Sequence, residues 1–540
     1  MENKKYAYHE AGNYDNIPHY LKYITNKHGS KIAFKYTVNK KDVEKTYQAF
    51  YNDVQNLAKS IAQMKYNNDK ISILGENSYH WVVSYMAISC SNNTVVPIDK
   101  DLQMVDIQSI IEEADVKLLF LSDQYNDYAE PLKQAFPELQ IINISEIEKY
   151  IAKGKNTKVK LPDVSPEQIA SIIYTSGTTS KPKGVMLTHK GLAIDTIGCQ
   201  KHFMLTGDSI LVLPLHHTFA LTAHILFGLT CGYAVCIPSS LKKIDELFKK
   251  YKPSTMIVVP MLVEAFYNKI WKTIRASGKE KLVRNMIKIS NFLLKLKIDI
   301  RPKVFKQIIE GLGGNLNLII SGGASLEPSY VADFRSFGID VFNGYGITEC
   351  SPVVSVNRNG YYRDGSVGPV LNGVEVKILK QDDNVQEGEI LVKGDIVMKG
   401  YYKHPELTKE AMTEDGYFNT GDIGYVDEDG FLFITGRKKN IIILDNGKNI
   451  YPEELEGKLQ KKDGIKEVVV FEKDKKIAAE IFPDFELIPN DENAKEAVQK
   501  IVDEFNKDLP FYKKIDTIEI RDTEFEKTTT KKIKRNYNRQ

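Results

Sequence analysis

At 540 residues the chain is long enough for three to four folding units of roughly 150 residues each. Lys plus Arg total 73 against 71 Asp plus Glu, and the formal charge of +2 argues against a protein whose main business is coating nucleic acid. At 42% hydrophobic and 27% charged the composition is ordinary globular, which argues against disordered, collagen-like and coiled-coil classes.

The amino terminus, MENKKYAYHEAGNYDN, has no apolar stretch of the kind a secretory signal needs. The short apolar runs ISIL at Ile71, VVPI at Val95, KLLFLS at Lys117 and ASIIYTS at Ala170 predict strands alternating with helices, the rhythm of βα units around largely parallel sheets. The five cysteines (Cys90, Cys199, Cys231, Cys236, Cys350) lack CxxC spacing, so neither a disulfide framework nor a zinc site is suggested, and a reducing cytoplasm fits best. Ile210 to Ile237, the most apolar stretch, is interrupted by Pro214, His216, His217 and His224; it reads as buried core, and no transmembrane helix is predicted.

Between the last of those strands and the next helical pattern lies YTSGTTSKPKGVMLTH, Tyr174 to His189. Small residues let backbone approach an anion, Ser176, Thr178 and Thr179 offer hydroxyl and N–H donors, and Lys181 and Lys183 add charge, so the segment is suited to phosphates. Its spacing is not a Walker A. Further on, Phe266 to Glu310 carries 12 Lys or Arg against 3 acids, interleaved with Ile287, Leu294 and Ile298. A solvated helical face is the favoured reading of 266–310, and peripheral contact with an anionic membrane is the alternative.

Two β-like runs then end in glycines, ISGGASLEP at Ile320 and VFNGYGITECSP at Val341, where open α/β sheets place ligand loops. Gly322, Gly323 and Ala324 leave room for a flat base, Tyr345 can stack on it, and Glu349 is a hard oxygen ligand suited to Mg²⁺. At Thr420 a TGD places Asp422 to accept from two ribose hydroxyls, with Arg437 in reach of ribose or phosphate. Closely spaced turns after Gly416 predict a β-rich connector, with a boundary near Lys439. Beyond it, NIYPEELEGKLQ reads as a capped helix start, VVVFEKDKKIAAEIF as two strands about a turn, and Glu496 to Leu509 as a helix. The expected organisation is α/β throughout residues 1–438, with parallel-sheet αβα subdomains and a β-rich subdomain, followed by a small mobile α+β domain over 439–540.

In order along the chain, TYQAFYNDVQNLA, VVPID, YTSGTTSKPKG, LPLHHTFAL, SGGASLEP, NGYGITE, TGD, GRKKN and the C-terminal EKTTTKKIKR resemble the motifs of the adenylate-forming superfamily of acyl-CoA synthetases, adenylation domains and luciferases. The resemblance implies a two-step reaction, in which a carboxylate attacks the α-phosphate of MgATP and a thiol then attacks the acyl adenylate. By matching positions it implies that Thr175, Ser176, Gly177, Thr178, Thr179 and Lys183 hold pyrophosphate. Gly322, Gly323, Ala324, Asn343, Gly344, Tyr345 and Gly346 would form the adenine site, Thr348 an α-phosphate contact and Glu349 the Mg²⁺ ligand. Asp422 and Arg437 match ribose contacts, Lys439 the hinge and His217 the gate of the acyl pocket. Lys532 matches the lysine that bridges carboxylate and α-phosphate, offsetting the charge of two converging anions.

The chain departs from the family pattern at Lys531 and Asn92 and Asn93, where glycines are common, and at Glu526, where proline is common. An amino-acid-activating relative usually has an aspartate just after the Phe of LPLHHTFAL, and here Ala220 follows Phe219, which argues against an α-amino acid. The resemblance is strongest to bacterial long-chain fatty acyl-CoA synthetases. It implies a cytoplasmic ligase of a carboxylic acid, a medium- to long-chain fatty acid, using ATP, Mg²⁺ and CoA, with no nucleic acid partner and with monomer or dimer left open. Two alternatives stand beside it: a ligase that loads the phosphopantetheine of an acyl carrier protein, and a non-catalytic membrane-surface protein with an inactive adenylation fold. Loss of Lys532 or Glu349 would favour the last, and both are present.

Overall fold

The structure is a computed structural model that describes residues 7–175, 182–380, 382, 385–443, 449–488, 493–528 and 533–535. The apolar runs form two large sheets whose central strands are parallel. The first runs in the order Gly400–Tyr401, Lys183–Thr188, Ile169–Thr175, Thr94–Ile98, Lys70–Leu74, Val116–Leu121, Gln140–Asn143. The second runs Val353–Val356, Asp340–Gly346, Leu318–Ser321, Thr255–Val258, Ser209–Ile210, Val235–Ile237, Ile32–Val38, Lys41–Thr46. Strands with both faces covered by helices are buried throughout and apolar but for one terminal residue, as in Thr94–Ile98 and Leu318–Ser321.

Each sheet changes direction near one edge. Ile169–Thr175 pairs antiparallel with Lys183–Thr188, and Asp340–Gly346 pairs antiparallel with Val353–Val356. Thr175 and Lys183, which flank the first glycine-bearing motif, and the NGYG motif therefore sit at hairpin ends, where the backbone leaves the ladder. A four-stranded antiparallel sheet, Glu375–Leu379, Gly388–Lys393, Phe418–Val426 and Leu432–Arg437, accounts for the β-rich texture around Gly416.

After it comes a separate core. Buried apolar residues from Tyr14 to Leu432 form one main cluster, whereas Ile442 to Ile518 form another, built on strands Ile465–Lys473, Lys476–Pro483 and Thr517–Ile520. Helix Pro452–Gln460 starts with proline at its first turn and without a side-chain cap, so the expected capped start is replaced by a preset φ. The helix expected from Glu496 runs Ala494–Lys507. The stretch from Ile210 to Ile237 is core, as expected, and includes a π-helix over Phe219–Leu226. Among the described residues no helix is long and apolar enough to cross a membrane.

At CSNN the departures from glycine acquire a reason. Asn92 adopts φ 62°, a left-handed conformation that asparagine tolerates. The buried Asn93 accepts from the Asp69 N–H at 2.9 Å and donates to the Ser91 carbonyl at 2.9 Å, so its side chain closes the turn.

The two cores meet through polar contacts. Lys272 pairs with Glu486 at 2.6 Å, Arg275 with Asp463 at 3.4 Å and Lys461 with Glu327 at 3.5 Å, and Gln460 donates to Glu264 at 3.4 Å. Burial pushes the Glu264 carboxyl up from its ordinary 4.5 to about 7. The folded chain thus keeps a proton that the unfolded chain releases, and stability is lost as pH rises from about 4.5 to 7. Glu264→Gln is expected to raise the melting temperature at pH 8, by the equivalent of about 1–3 kcal/mol, and to change little at pH 5. Equal shifts at both pH values would show that this carboxyl does not titrate there.

Gly154 and Gly457 lie in two helices with opposite surroundings. A Cβ on Gly154 would overlap the Asn56 carbonyl where helix Ile147–Lys155 packs on helix Tyr47–Gln63, whereas one on Gly457 meets nothing within 4 Å. Gly154→Ala should cost about 2–3 kcal/mol. Gly457→Ala should instead stabilise by about 0.5–1 kcal/mol, both read from thermal melting.

Candidate active site

Thr175 and Lys183 are register partners at the end of the first hairpin, so they close the loop that joins them. Ser176, Gly177, Thr178, Thr179 and Lys181 lie outside the described residues. The Lys183 ammonium sits 5.5 Å from the centroid of the Tyr401 ring, and the Tyr401 hydroxyl donates to Glu349 Oε1 at 3.0 Å. Strand Gly400–Tyr401 is held beside the hairpin by pairing with Lys183–Thr188. Burial, then the Glu349 charge, raises the Tyr401 hydroxyl above its ordinary range, so it stays a donor. The Met398 N–H donates to the Glu349 carbonyl at 2.7 Å, which fixes the turn on which this carboxylate stands. An anionic oxygen ligand held in place beside a lysine and a phosphate-type loop fits Mg²⁺.

The second glycine cluster is built by close approach. Gly322 follows strand Leu318–Ser321, and a Cβ there would come 2.9 Å from the Phe219 ring. Gly323 adopts φ +86°, open to glycine. A Cβ on Gly346 would overlap the Pro352 carbonyl of the returning strand, so this glycine of NGYG is required by packing of the hairpin itself. Ser321 and Asn343 are register partners at the ends of adjacent parallel strands. Their buried Oγ and Oδ1 find no hydrogen-bond partner among the described residues. Unsatisfied polar atoms at strand ends, beside glycines, suit a polar ligand.

Tyr345 and Asp422 are in direct contact. The Tyr345 hydroxyl donates to Asp422 Oδ2 at 2.7 Å, and the Arg437 guanidinium pairs with Asp422 Oδ1 at 2.7 Å. Asp422 and Arg437 are register partners in the four-stranded sheet, and Asp422 is buried. Burial, then the Asp422 charge, pushes the Tyr345 hydroxyl well up. Lys439 stands in a short turn, Lys438–Asn440, where burial and then Arg437 lower its ammonium.

The LPLHH segment is anchored from a distant loop. Asn77 donates to the Leu213 carbonyl at 2.7 Å and accepts from the Leu215 N–H at 2.9 Å. That places Thr218 3.4 Å from Thr348, hydroxyl to hydroxyl, and so joins the histidine segment to the NGYGITE turn. His217 and His224, seven residues apart in sequence, do not have the spacing of a metal-ligand pair. His224 is a core residue, its Nε2 2.9 Å from Ser209 Oγ, but the fold adds Asp99, 3.3 Å from His216. Asp99, His216 and His217 bring ligand-type atoms within 4.8 Å of one another, the one such trio among the described residues and a donor set able to hold Zn²⁺. Cys350 is fully buried, as expected of packing, and burial raises its thiol.

Lys532 lies outside the described residues. Around it, Lys527 and Ile533 form an antiparallel bridge, and the Lys534 N–H donates to the Glu526 carbonyl at 2.8 Å. Glu526, the unusual residue where proline is common, thus contributes a backbone acceptor to this pairing. Lys527 is itself paired with Glu467 and Glu524.

The sequence pattern described as AMP-binding enzyme matches residues 21–402, and that of the AMP-binding enzyme C-terminal domain matches residues 439–540. The chain belongs to the AMP-binding enzyme family. Among its relatives, the long-chain-fatty-acid–CoA ligase FadD15 of Mycobacterium bovis is 29% identical over 74% of this chain and 70% of its own length. The chloroplastic long-chain-fatty-acid–[acyl-carrier-protein] ligase AEE15 of Arabidopsis thaliana is 27% identical over 88% of this chain and 77% of its own. The anthranilate CoA ligase AuaEII, solved with anthranoyl-AMP, shares the fold with a TM-score of 0.78 at 19% identity, covering 99% of this chain and 97% of that one.

In this AMP-binding enzyme, Tyr401 and Asn77 were not singled out from sequence, and Asp99, the last residue of VVPID, was given no role. Each reaches the site from a separate segment, and none stands in a glycine-rich pattern. Gly346→Ala is expected to weaken ATP binding about ten-fold or more in calorimetry, because the added methyl forces Tyr345 and Glu349 apart from their partners. Gly344→Ala, whose Cβ would lie 3.3 Å from the Ser355 carbonyl, should cost far less.

Proposed function

We propose that the protein is a ligase that activates a medium- to long-chain fatty acid with ATP and transfers it to the thiol of CoA. The observation that carries this reading is convergence: the ends of the phosphate-type hairpin, the Tyr401–Glu349 pair, the orphaned Ser321 and Asn343 oxygens and the Tyr345–Asp422–Arg437 group all gather where strands of the two sheets end. A fatty acid is the acid favoured by Ala220 and by the names of the relatives.

In the first step a carboxylate oxygen attacks the α-phosphorus, and the bond to the leaving pyrophosphate breaks. Thr175 to Thr179 and Lys183 hold that pyrophosphate, Thr348 meets the α-phosphate, and Gly322 to Ala324 with Asn343 to Gly346 receive adenine. Asp422 and Arg437 take the ribose. Glu349 would hold Mg²⁺, which when bound neutralises phosphate charge. Lys532 offsets the charge of the two converging anions. In the second step the thiol sulfur attacks the acyl carbon and AMP leaves. Residues 439–540 act as a mobile domain that turns about Lys439 between the steps, while His217 gates the acyl pocket. Five free, buried cysteines suit work in the reducing cytoplasm.

A carrier-protein acceptor is the second reading, favoured by the longer span over which the carrier-protein ligase matches, 88% of this chain against 74%. Pyrophosphate release with MgATP across acids from acetate to stearate separates the two. Fastest release with long chains, multi-turnover only with CoA, is the expected result; a halt near one turnover despite CoA points to a carrier protein, and silence across the panel would sink the ligase reading. Lys532→Ala should lower adenylate formation by about 100-fold or more yet leave thiolysis of supplied acyl adenylate largely intact.

A further inference from the structure

Helix Glu280–Lys295 carries two apolar faces. One packs inward: Val283, Met286 and Ile287 lie against the cluster of Trp271, Phe305 and Phe337. Asn291 donates to Ser336 at 3.0 Å on the same side, and the Arg284 guanidinium lies 4.4 Å from the Trp271 ring. These contacts fix which way the helix is turned. The other face looks to solvent, with Leu282, Ile289, Phe292, Leu296 and the following Ile298 all more than half exposed. Only four other large apolar side chains among the described residues are as exposed. A helix of a globular protein needs one apolar stripe to reach its core, so a second, outward stripe calls for an occupant.

Charge identifies that occupant. Lys281, Lys288 and Lys295 recur every seventh residue, each directly before Leu282, Ile289 and Leu296. Seven residues are nearly two helical turns, so the sequence makes a column of lysines beside a column of apolar side chains. None of these three lysines is in an ion pair among the described residues, and no acidic residue occurs from 281 to 298. A second copy of this face would bring more lysines and, from 281 to 298, no acidic residue to pair with them. Apolar side chains flanked by unpaired lysines instead match the boundary between acyl chains and anionic headgroups.

We propose that helix Glu280–Lys295, with Leu296 to Ile298, docks the protein on an anionic membrane surface, lying in the plane of the headgroups with Leu282, Ile289, Phe292 and Leu296 inserted. The solvated-face reading accounts for the lysines but leaves the outward apolar column unexplained. Docking goes beyond the ligase reading and does not depend on it, since binding is measured without catalysis. The helix packs on helix Pro260–Ala276, which leads directly from strand Thr255–Val258 beside Gly323. The membrane face is thus one helix removed from the site.

The test is sedimentation of the whole chain with vesicles of phosphatidylglycerol and phosphatidylcholine, and with vesicles of phosphatidylcholine alone. Binding to the anionic vesicles is expected at low salt, weakening as salt rises, with far less on the neutral ones. Replacing Lys281, Lys288 and Lys295 together by Gln should weaken binding about five-fold per lysine. Ile289→Glu with Phe292→Glu should abolish it although the lysines remain. Unchanged melting temperature and ATP binding would show both variants folded. The proposal is overturned if the wild type fails to sediment with anionic vesicles, or if both variants bind as it does. A smaller solution mass of the glutamate variant without lipid would also overturn it, by assigning the face to a second copy.

Discussion

Asp422 is a carboxylate taken out of water, and burying such a charge is tolerated only when both oxygens are satisfied. One takes the Tyr345 hydroxyl and the other the Arg437 guanidinium. These partners come from different sheets: Tyr345 stands in the strand next to the edge of the eight-stranded sheet, Arg437 ends the last strand of the four-stranded one. A single desolvated charge therefore ties the nucleotide-type loop to the last strand before the C-terminal core. Lys439 follows within two residues, so whatever changes the partners of Asp422 is felt at once at the junction between the cores.

The same economy of contact governs the rest of the site. Gly346 is confined by the carbonyl of Pro352, and the turn it permits carries Thr348 and Glu349 toward Thr218 and Tyr401. Glu349 is held both through its own carbonyl and through its carboxylate, from segments about 50 residues downstream. Preorganisation of this kind costs nothing at the moment charge develops, which is where electrostatic catalysis gains.

The strands were legible because βα units bury both faces of a parallel sheet and so leave unbroken apolar runs, as at Ile71, Val95, Lys117 and Ala170. Gly322 was legible as a place of close approach, and the resemblance supplied the roles proposed for Lys183, Glu349 and Asp422. What pattern alone does not carry is contact between distant segments. Tyr401 on Glu349, Asn77 on the LPLHH backbone and Asp99 beside His216 each join positions more than 50 residues apart. The direct bond of Tyr345 to Asp422 belongs to the same class, since sequence placed each residue separately on the ligand. Helix Glu280–Lys295 is a different case. Its composition was read correctly, but an apolar residue faces core or solvent according to what packs on the helix, and only the inward contacts of Val283 and Ile287 settle that.

Contacts between the two cores are polar, and two of them are exposed: Lys272 with Glu486 and Arg275 with Asp463 stand in solvent, where such pairs contribute little. An arrangement held this way is easily exchanged for another, as the proposed rotation between two half-reactions demands. Lys272 and Arg275 belong to helix Pro260–Ala276, whose Trp271 receives the inward side of helix Glu280–Lys295. One helix is thereby the seat of a weakly held domain on one side and of a lysine-flanked apolar face on the other. Docking that face on a bilayer would fix helix Pro260–Ala276 in space and leave the polar, replaceable contacts as the part free to move, so that the C-terminal core turns against an anchored body.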